Sequence, residues 1–159
     1  MRSAARVMDH PIHPMLIPFP FAFLSGAAAF DLAALTRGSH TLGQTAAHLR
    51  AAGLVSALMA AVPGLIDYLT TVPEGRPRDT ATKHLLSNLS ALACFTAATL
   101  SHQGRPNTGT IALEVVGTVL LSIGGWLGGS LSYHHQIGVD PEEVPGRLAP
   151  AAEGALPPS

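Results

Sequence analysis

The sequence predicts an all-α, four-helix transmembrane bundle that runs up, down, up and down, with both termini on one side. Three observations carry this prediction. Only 12% of the 159 residues are charged, against 47% hydrophobic, roughly half the charge of an ordinary globular domain. Those few charges gather in short connectors and leave long runs nearly free of them. Each apolar run reaches about 20 residues, enough to cross a hydrocarbon core. Soluble helices need a charged face, and these runs do not supply one.

The elements follow in order. Residues Met1 to Asp9, with Arg2 and Arg6, read as a short, loosely ordered tail. Span one, about 15–35, reads as an uncleaved first helix, because HPIHP interrupts the order of a signal peptide and the apolar run is too long for one. Pro18 and Pro20 fall in its first turns, where a missing N–H costs least. Gly26 and the alanines after it offer a small-residue surface for close packing. The connector 36–44 holds Arg37, Gly38 and His40. Span two, about 46–69, carries Pro63, which should kink the helix and release the carbonyl of Met59. The turn VPEGRPRDT over 72–80 has the proline, glycine and charge of an exposed loop, with Asp79 or Thr80 capping the next helix. Span three covers about 81–101. Span four, about 110–133, contains the pairs Gly124/Gly128 and Gly125/Gly129, two overlapping close-packing steps. The membrane domain is thus 1–135. Residues 136–159, rich in Pro, Ala and Glu, read as a disordered tail.

Lys and Arg set the orientation. Arg2, Arg6, Arg76, Arg78, Lys83 and Arg147 fall on the terminal side; Arg37, Arg50 and Arg105 fall on the other. This balance places both termini in the cytoplasm.

The topology sorts the polar residues into two layers. One holds His10, His13, Asp67, Tyr68, His84, Asn88, Tyr133, His134 and His135. The other holds Asp31, His40, His48, His102 and Glu114. Ionisable groups inside a membrane are costly and turn toward the bundle interior and each other. His84 and Asn88, four apart, share a helix face. Asp67 and His84 lie at similar depth, so a carboxylate–imidazole bond is expected there. Asp31 and Glu114 read as snorkelling or mutually hydrogen-bonded groups.

Three chemistries compete for the first layer. Imidazoles from two helices can ligate b-type haem, with His13, His84 and one of His134/His135 as ligands and Asp67 and Asn88 in support. Mixed imidazole and carboxylate would also suit zinc, iron or copper. The plain alternative is a cofactor-free accessory subunit packed against a larger membrane complex, or self-associated through the Gly124/Gly125/Gly128/Gly129 face. No catalytic activity of its own is expected. No serine sits in a nucleophile elbow, and no phosphate-binding glycine loop is present. The net charge of −1 argues against a nucleic-acid partner. The single cysteine, Cys94, excludes an intrachain disulfide and multi-cysteine metal sites.

At HPIHPMLIPFPFA, GLIDY, ATKHLLSN and the close of span four, the chain resembles an uncharacterised family of small bacterial four-span predicted membrane proteins. Some members of that family are fused to a Rieske-type iron–sulfur domain. The resemblance runs from about Pro11 to Val139, and His13, Asp67, His84, Asn88 and the His134/His135 region fall on its motif positions. It implies a multi-pass protein of a bacterial inner membrane, surrounded by lipid, in a redox neighbourhood. One cysteine cannot supply the iron–sulfur domain, so a redox partner would be a separate subunit.

Overall fold

Alanine and glycine, rather than large apolar residues, occupy the positions along which the helices meet, and this decides the architecture. The structure, a computed structural model, describes residues 2–102 and 105–139. Two short strands, β1 (Arg6–Val7) and β2 (His10–Pro11), precede a five-residue helix α1 (Ile12–Leu16). Four long helices follow: α2 (Pro18–Arg37), α3 (His40–Thr70), α4 (Arg76–Ser101) and α5 (Thr108–Tyr133). On three of the long helices the buried residues recur at steps of three and four. On α2 they are Pro20, Leu24, Ala27, Asp31 and Ala34; on α3, Gly43, Ala46, Arg50, Gly53, Ala57, Ala60 and Pro63; on α5, Thr110, Glu114, Gly117, Leu121 and Gly124. On α4 the buried Ala81, Ala91, Phe95 and Ala98 keep the same rhythm. A repeat near 3.5 residues is the seam of left-handed, coiled-coil-like packing.

The local signals explain the helix ends. Gly38 closes α2 in the left-handed conformation (φ 62), which glycine adopts without Cβ strain. The next residue, Ser39, already caps α3 by accepting from the Leu42 N–H. A link this short leaves α2 and α3 antiparallel. Leu24 lies against Gly53, Gly26 against Leu49, and Ala34 against Gly43. The second pair repeats the arrangement, with Phe95 against Gly117, Asn88 against Gly124, and His84 against Gly128. Contacts of α2 with α5 and of α3 with α4 join the two hairpins. Leu24, Ala91, Phe95 and Leu121 form the apolar centre. Large apolar side chains point outward: Trp126 is 79% exposed and Leu100 81%.

Among the described residues, three helical stretches are long and apolar enough to cross a membrane: Ile12–Arg37, His40–Thr70 and Thr108–Tyr133. The third expected span behaves differently. Its helix, α4, starts at Arg76 rather than near 81, with Gly75 in place of Asp79 or Thr80 as the cap. The first turns therefore carry Arg76, Arg78, Asp79 and Lys83, and the seam carries His84 and Asn88, which lowers its hydropathy below that of its neighbours.

The N-terminal segment is ordered rather than a loose tail. Met8 and Asp9, both at positive φ (47 and 63), form the two-residue turn of a β1–β2 hairpin, the turn geometry that matches strand twist. Arg6 reaches Asp9 across it at 3.1 Å. Beyond α5, Ile137 folds back and is buried, its N–H donating to the carbonyl of Leu131 at 3.0 Å. The rest of the expected tail, 140–159, lies outside the described residues, and so does Arg147.

Candidate functional site

Two polar sites interrupt the small-residue seams, one toward each end of the bundle. The first is built around His13 and His84. Pro63 removes the N–H that would pair with the carbonyl of Met59, and it is the next carbonyl, that of Ala60, that accepts from the His13 ring at 2.8 Å. On the other pair of helices, the carbonyl of Gly124 accepts from the His84 ring at 2.8 Å. In each ring the nitrogen involved is Nδ1. A carbonyl can only accept, so each Nδ1 carries the hydrogen and each neutral ring keeps its lone pair on Nε2. The ring centroids lie 6.1 Å apart at an interplanar angle of 89°.

Glycines make the room. A Cβ on Gly64 would stand 2.7 Å from His13, one on Gly128 3.0 Å from His84, and one on Gly124 2.8 Å from Asn88. These separations are well inside van der Waals contact. Asn88 is held in turn by donating to the backbone carbonyl of His84 at 2.8 Å. The pair Gly124/Gly128 thus serves packing inside this chain, whereas a Cβ on Gly125 would meet open space.

Asp67 does not bind His84. Its carboxylate accepts from the Ser3 hydroxyl at 2.8 Å on both oxygens, and from the backbone N–H groups of Ala4 and Ala5 at 2.9 and 3.3 Å. It therefore fastens the N-terminal hairpin against the end of α3 and, through it, positions α1 and His13. Asp67→Ala removes these charge-assisted bonds and with them the tie between the hairpin and α3. Faster tryptic cleavage at Arg6 is the expected result, and limited proteolysis reads it directly. Tyr68 instead belongs to the α3–α4 turn. Its hydroxyl meets Thr82 at 2.9 Å, and the Arg78 guanidinium lies 3.9 Å from its ring centroid. His134 is exposed and His135 half-buried where α5 ends, and both donate backbone N–H groups to the carbonyl of Ser130.

The second site went unread as a unit in the sequence. Arg50, counted above as an interfacial charge, is 1% exposed. Its Nη1 donates to Asp31 Oδ2 and to Glu114 Oε1, both at 2.5 Å. Asp31 and Glu114 are both 0% exposed, so they are fully buried ion-pair partners and do not snorkel. His102, capping α4, brings Nε2 to 3.7 Å from Asp31 Oδ1. All four long helices contribute to this site. The sequence signal was available: Arg50 lies seven residues after Gly43 and seven before Ala57, on the same stripe of small residues.

Apolar outward surfaces, small-residue seams and internal polar clusters define a multi-pass helical membrane protein. The family profile described as "Predicted membrane protein (DUF2231)" matches residues 9–141, and the chain belongs to that family. The matched stretch takes in all four long helices and both polar sites. No curated protein and no solved structure matches the chain.

Proposed function

We propose that the protein is a small, non-catalytic subunit of a redox or bioenergetic membrane system, holding b-type haem through His13 and His84. The observation that carries this reading is a pair of imidazoles from two elements, each anchored through Nδ1 to a backbone carbonyl so that Nε2 is the acceptor nitrogen, met on His84 by the Asn88 amide at 3.4 Å. Fixing one ring nitrogen to orient the other is how proteins prepare a histidine for a metal. Two imidazoles do not complete the four-ligand shell of zinc, and no group of three or more His, Cys, Asp or Glu side chains comes together among the described residues. A haem would need only one or two side-chain ligands from the protein, and His13 and His84 are the residues that would hold it. His13 and His84 take precedence over His134 and His135 because only their ring nitrogens are oriented in this way. When bound, the haem would supply one-electron exchange. The chain's own part is to hold the two rings, to fix their tautomers, and to keep Asn88 and the glycines Gly64, Gly124 and Gly128 as the surrounding wall.

In this reading α4, packed antiparallel along α5, also crosses the membrane, making four crossings of a bacterial inner membrane. Both termini face the cytoplasm, because burial removes Arg50 from the opposite side and leaves Arg37 and Arg105 there against Arg2, Arg6, Arg76, Arg78 and Lys83. A reduced-minus-oxidised spectrum of the protein purified in mild detergent tests the reading. Sharp α and β bands with a Soret shift are expected, and His84→Ala should abolish them while leaving helicity intact. A colourless wild-type protein sinks the haem assignment. It would favour a cofactor-free accessory subunit, for which the observation is an apolar groove of about 420 Å³ along the outer face of α5 between Thr118 and Leu127. Gly125 opens toward the outside within that stretch.

A further inference from the structure

The Arg50 site has more acid than base. With Asp31 and Glu114 ionised and His102 neutral, two negative charges face one guanidinium in a fully buried setting. Both carboxylates reach the same Nη1 atom at 2.5 Å, which holds their bonded oxygens within about 5 Å of each other. Carboxylates that close do not both ionise readily, and an uncompensated buried charge is among the costliest features a protein can carry. A second observation is independent of the charge count. Asp31 Oδ1, Glu114 Oε2, Thr110 Oγ1, Arg50 Nε and His102 Nε2 are all buried without a hydrogen-bond partner. Orphaned polar atoms in such number mark a place where a proton or water belongs.

Three oxygens are too few for a cation such as sodium or calcium, which takes six or more, and the guanidinium repels one. A proton needs a single acceptor and a neighbour. A cavity of about 130 Å³ lies at the same end of the bundle, lined by Ala34, Gly43, His40, Arg105 and Pro106 among others. Ala34 is three residues along α2 from Asp31, and Gly43 is seven before Arg50 on the α3 stripe, so both sit directly above the ion cluster. That volume accommodates about four waters at liquid density. His102, with 10% of its side chain exposed, stands beside Asp31 at the end of α4.

We propose that Asp31 and Glu114, bridged by Arg50, form a buried site that binds one proton, exchanged with the outside through His102 and the cavity above it. The titratable and charged groups facing the site are Asp31 from α2, Arg50 from α3, His102 from the end of α4 and Glu114 from α5, with His40 and Arg105 at the rim. A hydrated proton in the cavity is taken up by the imidazole of His102, which passes a proton on to a carboxyl oxygen and returns to its neutral form. The net charge of the cluster thereby rises from −1 to zero.

Infrared spectroscopy of the full chain in detergent tests this. At neutral pH the wild type should show the carbonyl band of one protonated carboxyl, shifted in D2O. The band should vanish in Glu114→Gln and in Asp31→Asn. Either substitution balances Arg50 without a proton, so both variants should keep wild-type circular dichroism; should one fail to fold, the other decides. Gly43→Leu, which fills the cavity, should slow deuterium exchange of the band without removing it. No protonated-carboxyl band in the wild type, or a band that survives in both carboxamide variants, overturns the proposal. Unchanged exchange in Gly43→Leu overturns the route.

Discussion

Arg50→Met is expected to destabilise the protein by about 3–5 kcal/mol, the usual loss when one partner of a buried ion pair is removed. The methionine fits the volume of the arginine stem and leaves Asp31 and Glu114 facing each other at 0% exposure with no cation between them. The loss comes from the stranded acids rather than from missing attraction, so it is reversible by design. Combining Arg50→Met with Asp31→Asn and Glu114→Gln removes every charge, and the triple variant should recover most of the stability. Unfolding followed by circular dichroism in detergent, across wild type, single and triple variants, measures both halves. A single variant as stable as the wild type would mean that the cluster is hydrated rather than sealed.

Gly53→Leu should be comparably severe for a steric reason. A Cβ at Gly53 would stand 2.6 Å from two carbons of Leu24 and 3.2 Å from its backbone nitrogen. Leu24 is itself 0% exposed and packed against Ala91, Phe95 and Leu121, so it has nowhere to retreat. Inserting a single methylene in such a core costs about 1–3 kcal/mol, and a whole isobutyl group forces α2 away from α3. The expected result is loss of the folded state in mild detergent, seen as a collapsed thermal transition. Gly125→Leu is the control, because a Cβ there meets nothing within 4 Å. It should fold and melt like the wild type, and any change in its migration on gel filtration would report association through the outer face of α5.

The helices were legible because charge was absent from them. Hydropathy and connector chemistry locate the link at Gly38 and the turn before α4, but both are shorter than the expected 36–44 and 72–80, since α3 starts at His40 and α4 at Arg76. The cap of α4 was not legible. Asp79 and Thr80 are better local capping residues than Gly75, and the helix extends past them because Pro77 tolerates a first turn and Arg78 binds back onto the carbonyls of Tyr68 and Val72. Asp67 was placed at the right end of the bundle with the wrong partner. A carboxylate in reach of two backbone N–H groups and a serine is satisfied locally, and the partner, Ser3, lies 64 residues away in a segment whose composition reads as a tail. Arg50 was missed because counting arginines near span ends ignores which face of the helix they occupy. The step-of-three-and-four stripe, carried through all four helices together, would have put Asp31, Arg50 and Glu114 on one inner layer.

The alanine and glycine seams also bear on how the protein responds to heat. Heat-capacity change on unfolding comes mainly from apolar surface newly exposed to water, and here the bulky apolar groups are outside from the start, solvated by lipid or detergent in both states. Separating the helices uncovers methyl groups and bare backbone rather than leucine and phenylalanine side chains, Leu24, Phe95 and Leu121 aside. The stability curve of such a molecule is flat rather than domed, governed by close contact and by the ion cluster, and cooling does not weaken it as it weakens a soluble core.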